Sequence, residues 1–500
     1  MESGHVDPPS PPLDWLMPHT YIRQMLCFTS PPAGEYSLER KLAAALERMA
    51  DQIPWLLSRV VSLEYPHGAV GLSPPDQAED QDFRNQGISD VLLDVKDYSQ
   101  EYSYATLKSM SFPPDRLPPH EFLPETASPD DEAEPPVFRA RLSHLEGGFV
   151  LGVAVHHSTT DITGLGALLE IWAAHCRRGE QLHDDDDDGA SAPVVATYML
   201  DRSAVRDLGS GSSDIPDAIP SILFFQDDGE AGAPTSDLLA TAVPSATTIT
   251  MPPSFVTAIF HFAPQSLRRL KAFANDGADL PWVSTGDALT ALLWSAVVAA
   301  ESSSNAMTPL SSTINIPVNF RDRCEPPLSP KYLGAAFGRA TVSAPTEELL
   351  SLATSSPSCS SGNPSYNKRD LDSTAPTLLA KTAAAIRRAI TSQINAQSIR
   401  DAVTYTAAQR DINRVKRRPA DGISMVSWAD QGVCQLDWDP TVGRCEAVRL
   451  GKFSRRRYPI VLPRLPDGGL EVILSLEAAA LAIFESSVLV KDFGELRCKS

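Results

Sequence analysis

Gly147-Gly148-Phe149-Val150-Leu151-Gly152-Val153-Ala154-Val155-His156-His157-Ser158-Thr159-Thr160-Asp161 reads as a buried strand that runs into two histidines and, four residues past the second, an aspartate. Period-2 alternation puts Phe149, Leu151, Val153, Val155 and His157 on one face, and turns His156 the other way with Ala154 and Gly152. The two imidazoles therefore do different jobs. Leu165, Leu168, Leu169, Trp172 and Cys176 follow at helical spacing, so the histidines sit at a strand-to-helix turn, where scaffolds commonly present functional groups. Two roles fit His157. It is a hydrogen-bonded core histidine with Asp161 as a helix N-cap, or a proton acceptor whose neighbourhood includes a carboxylate.

The chain of 500 residues has room for two domains of ordinary size. A net charge of -20 speaks against a nucleic-acid partner, because phosphate binding draws on clustered positive charge, and gives no support to an anionic membrane surface. The start, Met1-Glu2-Ser3-Gly4-His5-Val6-Asp7, lacks the basic and apolar runs of a signal peptide. The longest apolar run, 288–300, is too short to span a bilayer. Seven scattered cysteines form no paired pattern, which suggests a reduced, cytoplasmic protein without a metal ribbon.

Residues 1–12 read as a disordered Pro-rich leader, 13–180 as a first domain, 181–250 as a crossover linker with short ordered pieces, and 251–500 as a second domain. In the first, strands are expected at 21–28, 58–63, 89–94 and 137–145, with a helix over 38–49. In the second, a strand at 255–262 precedes a helix at 267–275, and Ser284-Thr285-Gly286-Asp287 caps the apolar helix 288–300. A strand over 312–319, one helix over 378–406, strands at 422–428, 433–438, 458–462 and 470–476, and a final helix over 477–489 complete the reading, with 492–495 as a frayed end. The run His183 to Asp188 is read as a solvated acidic loop and not as a metal site.

With these pieces in order, the chain resembles the BAHD-type acyltransferases, in the branch that fungi use to decorate secondary metabolites. The resemblance rests on His157-Ser158-Thr159-Thr160-Asp161 as HxxxD, on Ser284-Thr285-Gly286-Asp287-Ala288-Leu289-Thr290-Ala291, and on Asn319-Phe320-Arg321-Asp322-Arg323 with Pro326-Pro327-Leu328. Tyr332-Leu333-Gly334, Leu462-Pro463-Arg464 and Asp467-Gly468-Gly469-Leu470-Glu471-Val472 also fit. It departs at the family's DFGWG, which falls on Asp437-Trp438-Asp439-Pro440 with only the first Asp clearly kept. Ile162 stands for a Gly, and Ala335 for an Asn.

The resemblance implies an α/β architecture of two chloramphenicol-acetyltransferase-like domains with a tunnel at their interface. It implies no permanently bound cofactor and no metal. Acetyl-CoA or another acyl-CoA enters as co-substrate, and a hydroxylated terpenoid, polyketide or alkaloid as acceptor, with the protein working as a monomer. In that chemistry a base takes the hydroxyl proton as oxygen attacks the thioester, and passes it to the thiolate. His157 is the expected base. Consistently, there is no GxSxG elbow, and Gly164-Leu165-Gly166 lacks the third glycine of a dinucleotide loop. Asp161 pairs by resemblance with Arg321, or alternatively Arg323, and turns away from the tunnel. Asp437 supports the site. Backbone groups of 158–160 or the Asp437-Trp438 loop are open as oxyanion donors. Arg455-Arg456-Arg457 and Lys416-Arg417-Arg418 suit CoA phosphates or a solvated surface. A condensation-type enzyme fed by a carrier protein, and an inactive metabolite-binding homologue, are the competing functions.

Overall fold

A computed structural model describes residues 10–30, 35–73, 87–124, 134–178, 194–209, 214–223, 255–276, 282–303, 309–354, 374–415, 422–453 and 455–500. Its strands are β1 (Tyr21–Thr29), β2 (Arg59–Ser62), β3 (Val70–Ser73), β4 (Leu93–Asp97), β5 (Phe138–Leu145), β6 (Gly148–His156), β7 (Phe255–Phe262) and β8 (Ser311–Asn319). They continue with β9 (Phe337–Pro345), β10 (Ile423–Ser424), β11 (Val426–Ser427), β12 (Cys445–Arg449), β13 (Ile460–Val461), β14 (Leu470–Glu477) and β15 (Glu495–Lys499).

One five-stranded sheet has the order β12-β1-β6-β5-β4, a second β11-β13-β14-β7-β15, and three strands form β10-β8-β9. Strand β6 is buried along its whole length. It lies between β1 and β5, antiparallel to both, and its near-continuous apolar sequence suits a central strand covered on both faces. The helix Ile162–Arg178 leaves its end and buries Leu165, Leu168, Leu169, Trp172 and Cys176. The helix Thr285–Ser302 starts on a capping box in which Ser284 and Asp287 exchange side-chain and backbone hydrogen bonds. Asp287 also meets Arg387 at 2.6 Å, so the cap ties two helices together.

The two halves are interlocked. Strand β12 comes from the second half of the chain yet completes the sheet of the first, pairing with β1 antiparallel. It brings Arg449, whose guanidinium meets Glu471 on β14 of the other sheet at 2.7 Å with both side chains buried. Arg449 also donates to the carbonyls of Phe112 and Ser111 at 3.1 and 2.9 Å. Nothing in Cys445-Glu446-Ala447-Val448-Arg449 marks a strand locally, because its charges become burial-compatible only once these partners arrive.

Several expected elements differ. Residues 89–94 divide into a helix, Ile88–Leu92, and β4. The single helix over 378–406 is two, Thr374–Gln393 and Ala396–Ala407, broken where Asn395 caps the second. The final helix is also two, Ala478–Ser486 and Val488–Phe493. In place of a strand at 433–438 there is a 3-10 turn, Val433–Gln435, begun by Gly432 at φ 75°. The loop then buries Trp438 against Trp172 and Phe28, and aromatic packing replaces a ladder. The frayed end is instead anchored, since Phe493 is buried and β15 pairs with β7.

The leader and crossover both contribute buried residues. Residues 1–9 lie outside the described residues, but Ser10 is buried. Between 181 and 250 the described pieces include the turns Val194–Thr197 and Ala204–Asp207, and Val205, Leu208, Ile222 and Leu223 belong to the core. The run 183–188 lies outside the described residues. Among the described residues, no helix is long and apolar enough to cross a membrane.

Candidate active site

The histidines separate as alternation requires. His156 ends β6 and is buried, edge-on to the Tyr21 ring at 5.2 Å between centroids. Burial, with His19 and His157 nearby, pushes its imidazole down to about 3. It therefore stays neutral, and its Nδ1 accepts the Ser158 amide at 3.3 Å. His157 is half-buried just past the strand end. Its amide donates to the Thr20 carbonyl at 2.7 Å, and its ring lies 6.1 Å from that of Phe337.

His157 lines a cavity of about 480 Å³ whose wall draws on both halves of the chain. The first half gives Thr20, Tyr21, Arg23 and Thr163; the second gives Asn319, Phe337, Ser424, Ser427, Trp428, Lys452, Arg455 and Tyr458, among others. The lining is mixed, with aromatic faces beside a few hydroxyls and three cationic side chains, as suits a small organic ligand bearing anionic groups.

Asp161 also borders this cavity, but both its oxygens are held from the far side. Arg321 grips it bidentately, Nη1 to Oδ2 and Nη2 to Oδ1 at 2.9 Å each. The Ala336 amide donates to Oδ2 at 2.8 Å and the Gly164 amide to Oδ1 at 2.9 Å, so Asp161 is also the cap of the helix Ile162–Arg178. Burial pushes this carboxyl up, but the Arg321 charge and these hydrogen bonds outweigh it and hold the group below its ordinary range. Arg321 in turn donates to the carbonyls of Tyr332 and Gly334 at 3.0 and 2.7 Å. Arg323 lies elsewhere, 3.8 Å from Asp322. Thr160 adds a bond from its hydroxyl to the Leu333 carbonyl at 2.6 Å. The loop bearing His157 is thus stitched to the segment 332–336 of the other half.

This stitching leaves no room at Gly164. A Cβ there would lie 2.3 Å from the Leu333 carbonyl oxygen and 2.0 Å from Thr160 Oγ1. Gly164→Ala is therefore expected to destabilise by about 1–3 kcal/mol, the usual cost of overpacking. Denaturant unfolding checks it, and an unchanged midpoint contradicts it.

Other expected groups fall away from the cavity. Asp437 is exposed and does not line it. Its carbonyl accepts from Arg177, and its side chain accepts the Asp439 amide at 3.3 Å. Trp438 takes the buried position instead. Among the proposed oxyanion donors, the Ser158 and Thr159 amides are already engaged with His156. Arg456 and Arg457 are paired with Glu477 at 3.3 Å and Glu301 at 2.5 Å, which leaves Arg455 as the member of that run at the cavity. Residues 416–418 lie outside the described residues.

Residues 20–176 match the family described as the trichothecene 3-O-acetyltransferase-like N-terminal domain, and residues 233–359 match the transferase family. The chain is 25% identical over 468 residues to the O-acetyltransferase ptmV of Penicillium ochrochloron, covering 90% of this chain and 89% of that one. It is 24% identical over 497 residues to the eremophilane O-acetyltransferase ORF8 of Penicillium roqueforti, with 93% of each covered. Its fold matches that of F. sporotrichioides TRI101 complexed with coenzyme A and T-2, with a TM-score of 0.72 at 19% identity over 98% of this chain and all of that one. Vinorine synthase matches with a TM-score of 0.59 at 16% identity, covering 97% and 92%.

Proposed function

We propose that the chain, which transferase family models match over residues 20–176 and 233–359, is a BAHD-type acyl-CoA-dependent O-acyltransferase that acetylates a hydroxyl of a secondary metabolite, with His157 as general base. The observation that carries this reading is His157 on the wall of a cavity bounded by both halves of the chain. Relatives across nearly the full length are O-acetyltransferases, and TRI101 of the same fold is complexed with coenzyme A and T-2.

In this mechanism His157 takes the proton of the acceptor hydroxyl as its oxygen attacks the thioester carbonyl. The new C–O bond forms, the C–S bond breaks, and the same imidazole returns the proton to the departing thiolate. No covalent enzyme intermediate or permanent cofactor enters. Asp161 cannot relay the proton, since its oxygens are committed to Arg321, Ala336 and Gly164. Its role is to fix the loop. Lys452 and Arg455 meet the CoA phosphates, while Tyr21, Phe337 and Trp428 enclose the acceptor. We assign the protein to the cytoplasm as a monomer, divided at 13–180 and 251–500 with the crossover 181–250 between.

The test is thiol release from acetyl-CoA with a panel of hydroxylated terpenoids, polyketides and alkaloids. Release that depends on both substrates is expected. Release without an acceptor, or coenzyme A failing to bind at all, contradicts the proposal.

A further inference from the structure

Behind the His157 loop lies a second buried ion pair, built from two stretches that look dispensable in sequence. Asp14, in the turn Asp14–Leu16 ahead of β1, is fully buried, and Arg202 of the crossover donates to its carboxylate. The same Arg202 nitrogen donates to the Ser158 carbonyl at 3.2 Å, one residue beyond His157. The guanidinium lies 5.5 Å above the Trp55 ring. The Arg202 carbonyl accepts the Tyr332 hydroxyl at 2.7 Å, and the Tyr332 carbonyl accepts from Arg321. The loop 157–161 is thus held at one end by Arg321 on Asp161 and at the other by Arg202 on Ser158.

We propose that Asp14 and Arg202 are positioning residues for the acyl transfer, setting His157 through the Arg202 hydrogen bond to the Ser158 carbonyl. The inference rests on His157 being the base. A buried pair is a weak source of stability, because desolvating both charges offsets their attraction. This pair is spent on one carbonyl beside the imidazole, where a displacement of about 1 Å can cost roughly a hundredfold in rate.

The arrangement also carries a pH signature. Burial is the largest influence on Asp14 and pushes its carboxyl up to about 6, with Arg202 and the Ala335 amide opposing and Asp161 adding to the rise. Tyr332, whose phenol burial holds in the neutral form, is a further titratable neighbour, with Arg321 a further charge beside it and Arg206 donating to the Ser10 carbonyl of the same leader. As pH falls through about 6, Asp14 becomes neutral and Arg202 loses its counter-charge. The brace is therefore present above that pH and lost below it. Folding stability runs the other way: a raised carboxyl favours the folded state in acid and gives up that contribution as pH rises through 6.

The experiment compares Asp14→Asn with the wild type from pH 5 to 8. At pH 8 kcat is expected to fall roughly ten- to a hundredfold with KM for acetyl-CoA little changed. The wild-type to variant ratio then shrinks toward one at pH 5, because the wild type has lost the same charge. A ratio of one at pH 8, or a ratio independent of pH, overturns the proposal. If Asp14→Asn does not fold, the paired variant Asp14→Asn with Arg202→Met removes both charges together and serves the same comparison. Histidine-labelled protein supplies a readout independent of catalysis: the His157 imidazole signals, assigned by their loss in His157→Ala, are expected to shift in Asp14→Asn at pH 8 and not at pH 5. Retained activity in His157→Ala sinks the base assignment and, with it, the inference, whereas unshifted signals beside a lost His157→Ala activity sink the brace and leave the base assignment standing.

Discussion

Replacing His157 with alanine is expected to lower kcat by roughly 10²–10⁴-fold, the range for loss of a general base, while coenzyme A binds nearly as before. The imidazole is half-buried on the cavity wall, outside the core clusters, and the 2.7 Å bond to Thr20 uses only its backbone amide. Truncation therefore removes chemistry and leaves the fold. His156→Ala should act in the opposite way. It empties a fully enclosed site beside Tyr21 and removes the acceptor of the Ser158 amide, so its loss shows first in the unfolding midpoint. A His157→Ala enzyme with wild-type kcat, or one that is simply unfolded, contradicts the assignment. Steady-state kinetics beside a denaturation curve distinguishes these results.

Arg321→Met is expected to destabilise by about 3–5 kcal/mol, because it strands a buried carboxylate that now has only two amides as partners. Activity should fall with it, since Asp161 ties the His157 loop to residues 332–336. Asp161→Asn leaves the guanidinium facing a neutral amide and should cost somewhat less. Combining the two should recover much of the stability and little of the activity. The pH dependence has a definite sign. Asp161 is held below its ordinary 3.8, so its contribution is present above about pH 4 and is lost as pH falls through its lower folded value. The stability gap between wild type and Asp161→Asn should therefore narrow in strong acid. A constant gap would mean that Asp161 is not the ionised partner of Arg321.

What could be read from the chain beforehand was whatever local pattern determines. Strand β6 with its turn, the capping box at Ser284 and strand β7 follow from periodicity and capping residues within a dozen positions. Arg321 as the mate of Asp161 was reachable only through family resemblance, since 160 residues separate them. Strand β12 and the Asp14–Arg202 pair were not legible. Each places charges in buried surroundings, and only tertiary partners make that tolerable. Asp437 lies away from the cavity, in a loop whose packing is a further long-range matter. Trp438 anchors that loop by packing on Trp172 and Phe28. Reciprocal hydrogen bonds between Gln24 and Gln431, at 2.7 and 2.9 Å, dock the preceding part of the same loop on β1, another long-range pairing without a local signature.

The most direct test of the central claim follows the acyl group itself. The protein is mixed with acetyl-labelled acetyl-CoA and a hydroxylated acceptor that supports thiol release, quenched within one turnover, and the label is located by mass spectrometry. Direct transfer assisted by His157 predicts label on the acceptor oxygen, none on the protein, and neither product nor labelled protein with His157→Ala. Label bound covalently to the protein before product appears, or equal transfer by His157→Ala, would contradict it.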